Sequence, residues 1–121
     1  MDMYREQLMD HYHHPRGWGL GDGADFTQEA VNQTCGDKVT VQIWLADEVI
    51  QEMRFTGHGC AISLAAASLL TEFVRGKSLA EVADLKLEDV QSLLGGPVTP
   101  GRIKCALLAL GAIQEMALIK A

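Results

Sequence analysis

Apolar and polar residues alternate with a period that changes along this chain, and the changes mark out its elements. Residues 3–14 carry Tyr4, Leu8, His11 and Tyr12 at three- and four-residue steps, a helical stripe that Pro15 ends. Residues 15–25 hold Pro15 and Gly17, Gly19, Gly21 and Gly23, and read as irregular. No strand precedes these glycines and no helix follows directly, which argues against a phosphate-binding loop. A weak strand runs over 26–34 and meets a turn at Cys35-Gly-Asp37. Lys38–Leu45 then alternates polar and apolar residues, the mark of a half-buried strand. Ala46-Asp-Glu48 turns the chain and Val49–Phe55 returns, so residues 26–57 are predicted to form a three-stranded antiparallel meander with Trp44 and Phe55 in its core.

Past Phe55 the period becomes helical. Ala61–Arg75 is apolar nearly all round, which predicts a central helix covered on several sides and stopped by Gly76. Ser78 and Glu81 have capping-box spacing for a short helix to about Leu85, and Leu87–Leu94 predicts another. Gly95-Gly-Pro97 and Thr99-Pro-Gly101 break the chain before a final helix over 102–120, with Ile103, Leu107, Leu110, Ile113 and Leu118 towards the core. At 121 residues this is one α+β domain, spanning 1–121.

Charge narrows the function classes. The net charge is −6, from 16 acidic against 10 basic side chains, and no Lys/Arg-rich run occurs, so a nucleic-acid partner is not expected. The apolar run from Ala61 to Leu70 is too short and too polar to span a bilayer. The N-terminus is polar and helical, without a signal-peptide pattern. With three cysteines and no export signal, reduced thiols in a cytoplasmic protein are expected.

The candidate chemistry lies in those thiols. In Phe55-Thr-Gly-His-Gly-Cys-Ala-Ile-Ser63 a strand gives way to a helix, and Cys60 stands where free backbone N–H groups and the helix dipole favour a thiolate. Cys35, Cys60 and Cys105 each sit at the break or start of an element, 25 and 45 residues apart. Three loop ends could deliver them to one soft metal site, with Asp37 as a fourth ligand, or they could be three unrelated buried cysteines.

Tyr4, Asp10-His-Tyr12, Pro15-Arg16, Gly19, Cys35-Gly-Asp37, Gly57-His-Gly-Cys-Ala-Ile-Ser63, Thr71-Glu72, Gly76-Lys-Ser78 and Arg102-Ile-Lys-Cys105 together resemble the iron–sulfur cluster assembly scaffold family, the IscU, SufU and NifU N-terminal domain type, over nearly the whole chain. The resemblance implies a three-stranded antiparallel sheet with helices on one face. It implies Cys35, Asp37, Cys60 and Cys105 as ligands, with the three cysteines as sulfur-accepting thiols. It further implies persulfide sulfur from a pyridoxal-phosphate cysteine desulfurase, a transient [2Fe–2S] cluster passed to acceptor proteins, and zinc binding at the same site. A non-catalytic scaffold is thus expected, with a zinc-dependent sulfur acceptor that stimulates the desulfurase as the alternative.

Two departures divide the branches. Lys104 precedes the third cysteine as in SufU, where IscU has histidine, yet the SufU insert between the second and third cysteines is absent. The Leu-Pro-Pro-Val-Lys stretch that IscU offers an Hsp70-type chaperone is replaced by Gly96-Pro-Val-Thr-Pro100, which argues against that partner. Charge does not choose the occupant, since three thiolates and one carboxylate carry −4 and either zinc or an oxidised [2Fe–2S] core adds +2. Lys104 is expected to steer an incoming persulfide or to be simply a solvated lysine. His58 reads as a turn residue more readily than as a reserve ligand. His11, His13 and His14 read as packing and capping residues.

Overall fold

The computed structural model describes residues 3–33 and 36–120. The meander is present, with β1 (Phe26–Asn32), β2 (Asp37–Ala46) and β3 (Val49–His58) antiparallel in that order. Among the described residues five helices accompany it: α1 (Met3–His13), α2 (Ala61–Phe73), α3 (Leu79–Ala83), α4 (Leu87–Leu94) and α5 (Ile103–Lys120), the last entered through a 3₁₀ turn at Pro100–Arg102.

The helices lie on one face of the sheet, because alternate strand residues point their apolar side chains there. Val39, Val41, Ile43, Ile50, Met53 and Phe55 are fully buried beneath α2 and α5. Each such side chain contributes about 1.5–3 kcal/mol relative to leaving it in water. Leu70 and Val74 of the α2 region and Leu110, Ile113 and Met116 of α5 fill the space opposite. Leu118, placed in the core by its spacing, is 77% exposed. The buried side of α5 is drawn instead by Cys105, Ala106, Leu108, Ala109, Ala112, Ile113 and Met116. Trp44 likewise differs from expectation, since it lies half-buried on the outer face and donates its indole N–H to the Asp22 carbonyl at 3.1 Å.

Residues 15–25 cross that outer face as a strap. The Gly19 N–H donates to the Phe55 carbonyl (2.8 Å) and the Phe55 N–H to the Gly17 carbonyl (2.9 Å), which covers the free edge of β3. Gly17 is in the left-handed region at φ +71°, and a Cβ there would lie 2.6 Å from Thr71 Cγ2, so only glycine allows this approach to α2. Beside it, buried His11 Nδ1 and Ser68 Oγ are 2.7 Å apart, and the Arg16 N–H donates to Ser68 Oγ at 2.8 Å. His11 is thus a packed helix–helix contact. The Tyr4 side chain lies outside the described residues.

Two further local expectations hold. The Ser78–Glu81 capping box opens α3, with Ser78 Oγ accepting the Glu81 N–H at 3.1 Å. The β2–β3 hairpin turns at Asp47 and Glu48, both at positive φ (53° and 71°). No helix among the described residues is long and apolar enough to cross a membrane.

Candidate metal centre

Three elements converge at one end of the sheet. Asp37 is the first residue of β2 and pairs in register with Asn32, the last of β1. Cys60 is the N-cap of α2, with extended backbone (φ −76°, ψ 167°) and no side-chain cap of its own. Cys105 is the third residue of α5 and fully buried. One ligand atom each from Asp37, Cys60 and Cys105 lie within 4.8 Å of one another. A tetrahedral zinc with bonds of about 2.0–2.3 Å holds its ligand atoms roughly 3.3–3.8 Å apart, so small side-chain movements suffice for these three to share one ion.

Asp37 reaches this point because the helix needs it. Its Oδ1 accepts the Cys60 backbone N–H at 3.1 Å, satisfying one of the orphan donors at the start of α2. Its Oδ2 stands 4.0 Å from Cys60 Sγ, facing the thiol. Gly59 makes room, since a Cβ there would lie 2.5 Å from Asp37 Oδ1 and 2.8 Å from Ser63 Oγ. Asp37 is 1% exposed, so the carboxylate has little space to retreat.

The surroundings of the two sulfurs differ. Cys60 Sγ is 3.8 Å from Ser63 Oγ, and that hydroxyl donates to the Cys60 carbonyl at 3.0 Å. Cys105 Sγ lies 3.9 Å from the side-chain nitrogen of Asn32, which donates to it. Asn32 and Ser63 both pack against the ligand set, yet neither carries a pattern that marks it from sequence. Ser63 sits inside the cysteine motif and could have been singled out as the hydroxyl one turn on from Cys60.

Of the four ligands expected from sequence, Asp37, Cys60 and Cys105 come together, while Cys35 lies outside the described residues. Lys104 is exposed and lines a groove between β1 and α5, with Glu29, Val31 and Glu115 also on its walls. His58 is exposed at the end of β3, in register with Lys38, and is not among the clustered donors.

A small α+β fold presenting two cysteine sulfurs and a carboxylate at a strand–helix junction defines a sulfur-rich candidate metal centre. The chain belongs to the NifU-like N-terminal domain family, whose pattern matches residues 3–120. It is 39% identical to the iron–sulfur cluster assembly scaffold protein IscU of Escherichia coli (strain K12), over 92% of this chain and 88% of that protein. It is 30% identical to the zinc-dependent sulfurtransferase SufU of Bacillus subtilis (strain 168), over 93% of this chain and 88% of that one. A crystal structure of the N-terminal part of a nitrogen-fixing NifU-like protein from Brucella abortus superposes with a TM-score of 0.77, covering 98% of this chain and 94% of that one. Its 19% identity speaks for the fold alone. The family is one of iron–sulfur cluster scaffolds, with SufU named for sulfur transfer.

Proposed function

We propose that this chain is an iron–sulfur cluster assembly scaffold, holding a [2Fe–2S] cluster as cargo on Cys35, Asp37, Cys60 and Cys105. The observation that carries the reading is the meeting of Asp37, Cys60 and Cys105 within 4.8 Å from three separate elements. Soft sulfur donors suit zinc or an iron–sulfur core rather than calcium or magnesium. In the sulfur-loading step a thiolate of this site attacks the outer sulfur of a persulfide on a cysteine desulfurase. The S–S bond breaks, the outer sulfur moves to this chain, and the desulfurase cysteine leaves as thiolate. Ferrous iron and an added reductant then take that sulfur to sulfide. Asp37 supplies a hard oxygen to a soft centre, which favours later release of the cluster to acceptor proteins. A cytoplasmic setting fits this chemistry, because thiols stay reduced there.

A second reading is a zinc-dependent sulfur acceptor working with the same desulfurase. It is favoured by Lys104, exposed beside buried Cys105, and by the likeness to SufU. Anaerobic incubation with desulfurase, cysteine, reductant and ferrous iron separates the two. A scaffold develops a visible iron–sulfur chromophore with iron and sulfide in equal amounts, and loses it to an apo-ferredoxin. Stable zinc, no chromophore and faster desulfurase turnover would overturn the first reading in favour of the second.

A further inference from the structure

We propose that Asn32 is a positioning residue for the Cys105 sulfur, an inference that rests on the shared thiolate site described above. Asn32 is 8% exposed and Cys105 fully buried, and the Asn32 side-chain amide donates towards Cys105 Sγ across 3.9 Å. An amide NH₂ group only donates, so it complements a sulfur that carries negative charge or is bound to a metal. The backbone of the same residue has a second task. Its carbonyl accepts the Gly36 N–H at 2.8 Å, next to Asp37, with which Asn32 pairs across the β1–β2 ladder.

One residue therefore ties the strand that carries Asp37 to the sulfur at the start of α5. From there the Cys105 sulfur lies within 4.8 Å of ligand atoms of Asp37 and Cys60. The Cys60 sulfur has different support, from the Ser63 hydroxyl and the Asp37 carboxylate. Groups that hydrogen-bond metal ligands in this way are commonly worth 10–100-fold in metal affinity. The side chain of Asn32 fixes the ligand, while its carbonyl fixes the turn and survives any substitution that keeps a backbone.

The test uses the full chain, reduced and metal-free, labelled with ¹⁵N. Replacing Cys105 with Ala should shift one of the two side-chain amide protons of Asn32, and replacing Cys60 with Ala should leave it in place. In parallel, zinc affinity is measured against a chromophoric chelator for the parent, Asn32→Ala and Asn32→Asp, with melting curves of the metal-free proteins. Asn32→Ala should bind zinc about tenfold more weakly. Asn32→Asp should bind more weakly still, because a carboxylate donates nothing and repels the sulfur, and these losses should not track the melting temperatures. Unmoved Asn32 amide protons in Cys105→Ala, or parent-like zinc affinity in both Asn32 variants, would overturn the proposal. The amide measurement keeps Asn32 intact, so it stands even where an Asn32 variant fails to fold. A parent that takes up no zinc or iron would instead count against the metal site, because the amide shift is read without metal.

Discussion

Replacing Asp37 with Ala should have two separable effects, because one carboxylate serves both the helix and the ligand set. Its Oδ1 accepts the Cys60 N–H at 3.1 Å, and Cys60 itself offers α2 no side-chain cap. A hydrogen bond to a charged group is worth about 1.5–3 kcal/mol net, and loss of an N-cap acceptor costs about 1 kcal/mol. These describe the same bond, and the Cys60 thiol also donates to Asp37 Oδ2 across 4.0 Å, a contact too long to add much. A net loss of about 1–2 kcal/mol follows, or roughly 3–10 °C in melting temperature for a domain of this size. The assay is a circular-dichroism melt of the metal-free, reduced protein with chelator present. Asp37→Asn keeps an oxygen that can accept the N–H and should recover most of the loss. On the loaded protein, Asp37→Ala should hand its cluster to an acceptor more slowly than the parent. An unchanged melting temperature would refute the capping argument, and faster transfer would refute the argument that the hard oxygen promotes release.

Three further outcomes follow from the same geometry. His11 is buried against Ser68, and burial, followed by the nearby Arg16 charge, lowers its pKa below the ordinary 6.5. Between the lowered value and 6.5 the unfolded chain binds more protons than the folded one, so stability rises with pH across that window and is lost as pH falls through it. Melting temperature should therefore drop on acidification from about pH 7.5 to about pH 5.5, and drop less in His11→Gln. Gly59→Ala would place a Cβ 2.5 Å from Asp37 Oδ1 and 2.8 Å from Ser63 Oγ, so zinc affinity by chelator competition should fall about tenfold or more and stability by about 1–3 kcal/mol. Glu48→Gly should relieve a left-handed residue at φ 71° at a smaller entropic cost while giving up the contact its side chain makes, so urea unfolding should show a gain below about 1 kcal/mol.

The strands were legible where one face is buried, because Val39, Val41 and Ile43 keep a period of two only if every second residue meets the helices. The end of β3 was legible to within a residue, since the meander was expected through 57, but the role of Gly57 was not. His58 reads as a turn residue, yet β3 continues to it and Gly57 pairs with Val39, where a Cβ would run into the Lys38 carbonyl. That glycine marks a close approach, a demand that no local propensity records. Leu118 was misplaced because α5 is apolar on most sides and its period does not select a face. At the site, the positions of Cys60 and Cys105 at element starts were readable, but their meeting depends on how the sheet and α5 pack. The family resemblance supplied that link. Asn32 escaped notice because a polar residue ending a strand is ordinary until its partner across the fold is known.

The sheet has one margin sealed and one bare. On the β3 side, Gly17 and Gly19 take up the backbone groups of Phe55, whereas no strand among the described residues lies beyond β1. Association of two copies through strand pairing would have to begin at β1, where Val31 is 50% exposed and the charged pair Lys38–Glu29 stands at 3.2 Å. A second molecule would bring the same charged edge and the same net charge of −6. Charged side chains on the edge and repulsion between equally anionic copies discourage edge-to-edge aggregation, so the unpaired margin of β1 is defended by charge where that of β3 is defended by the strap.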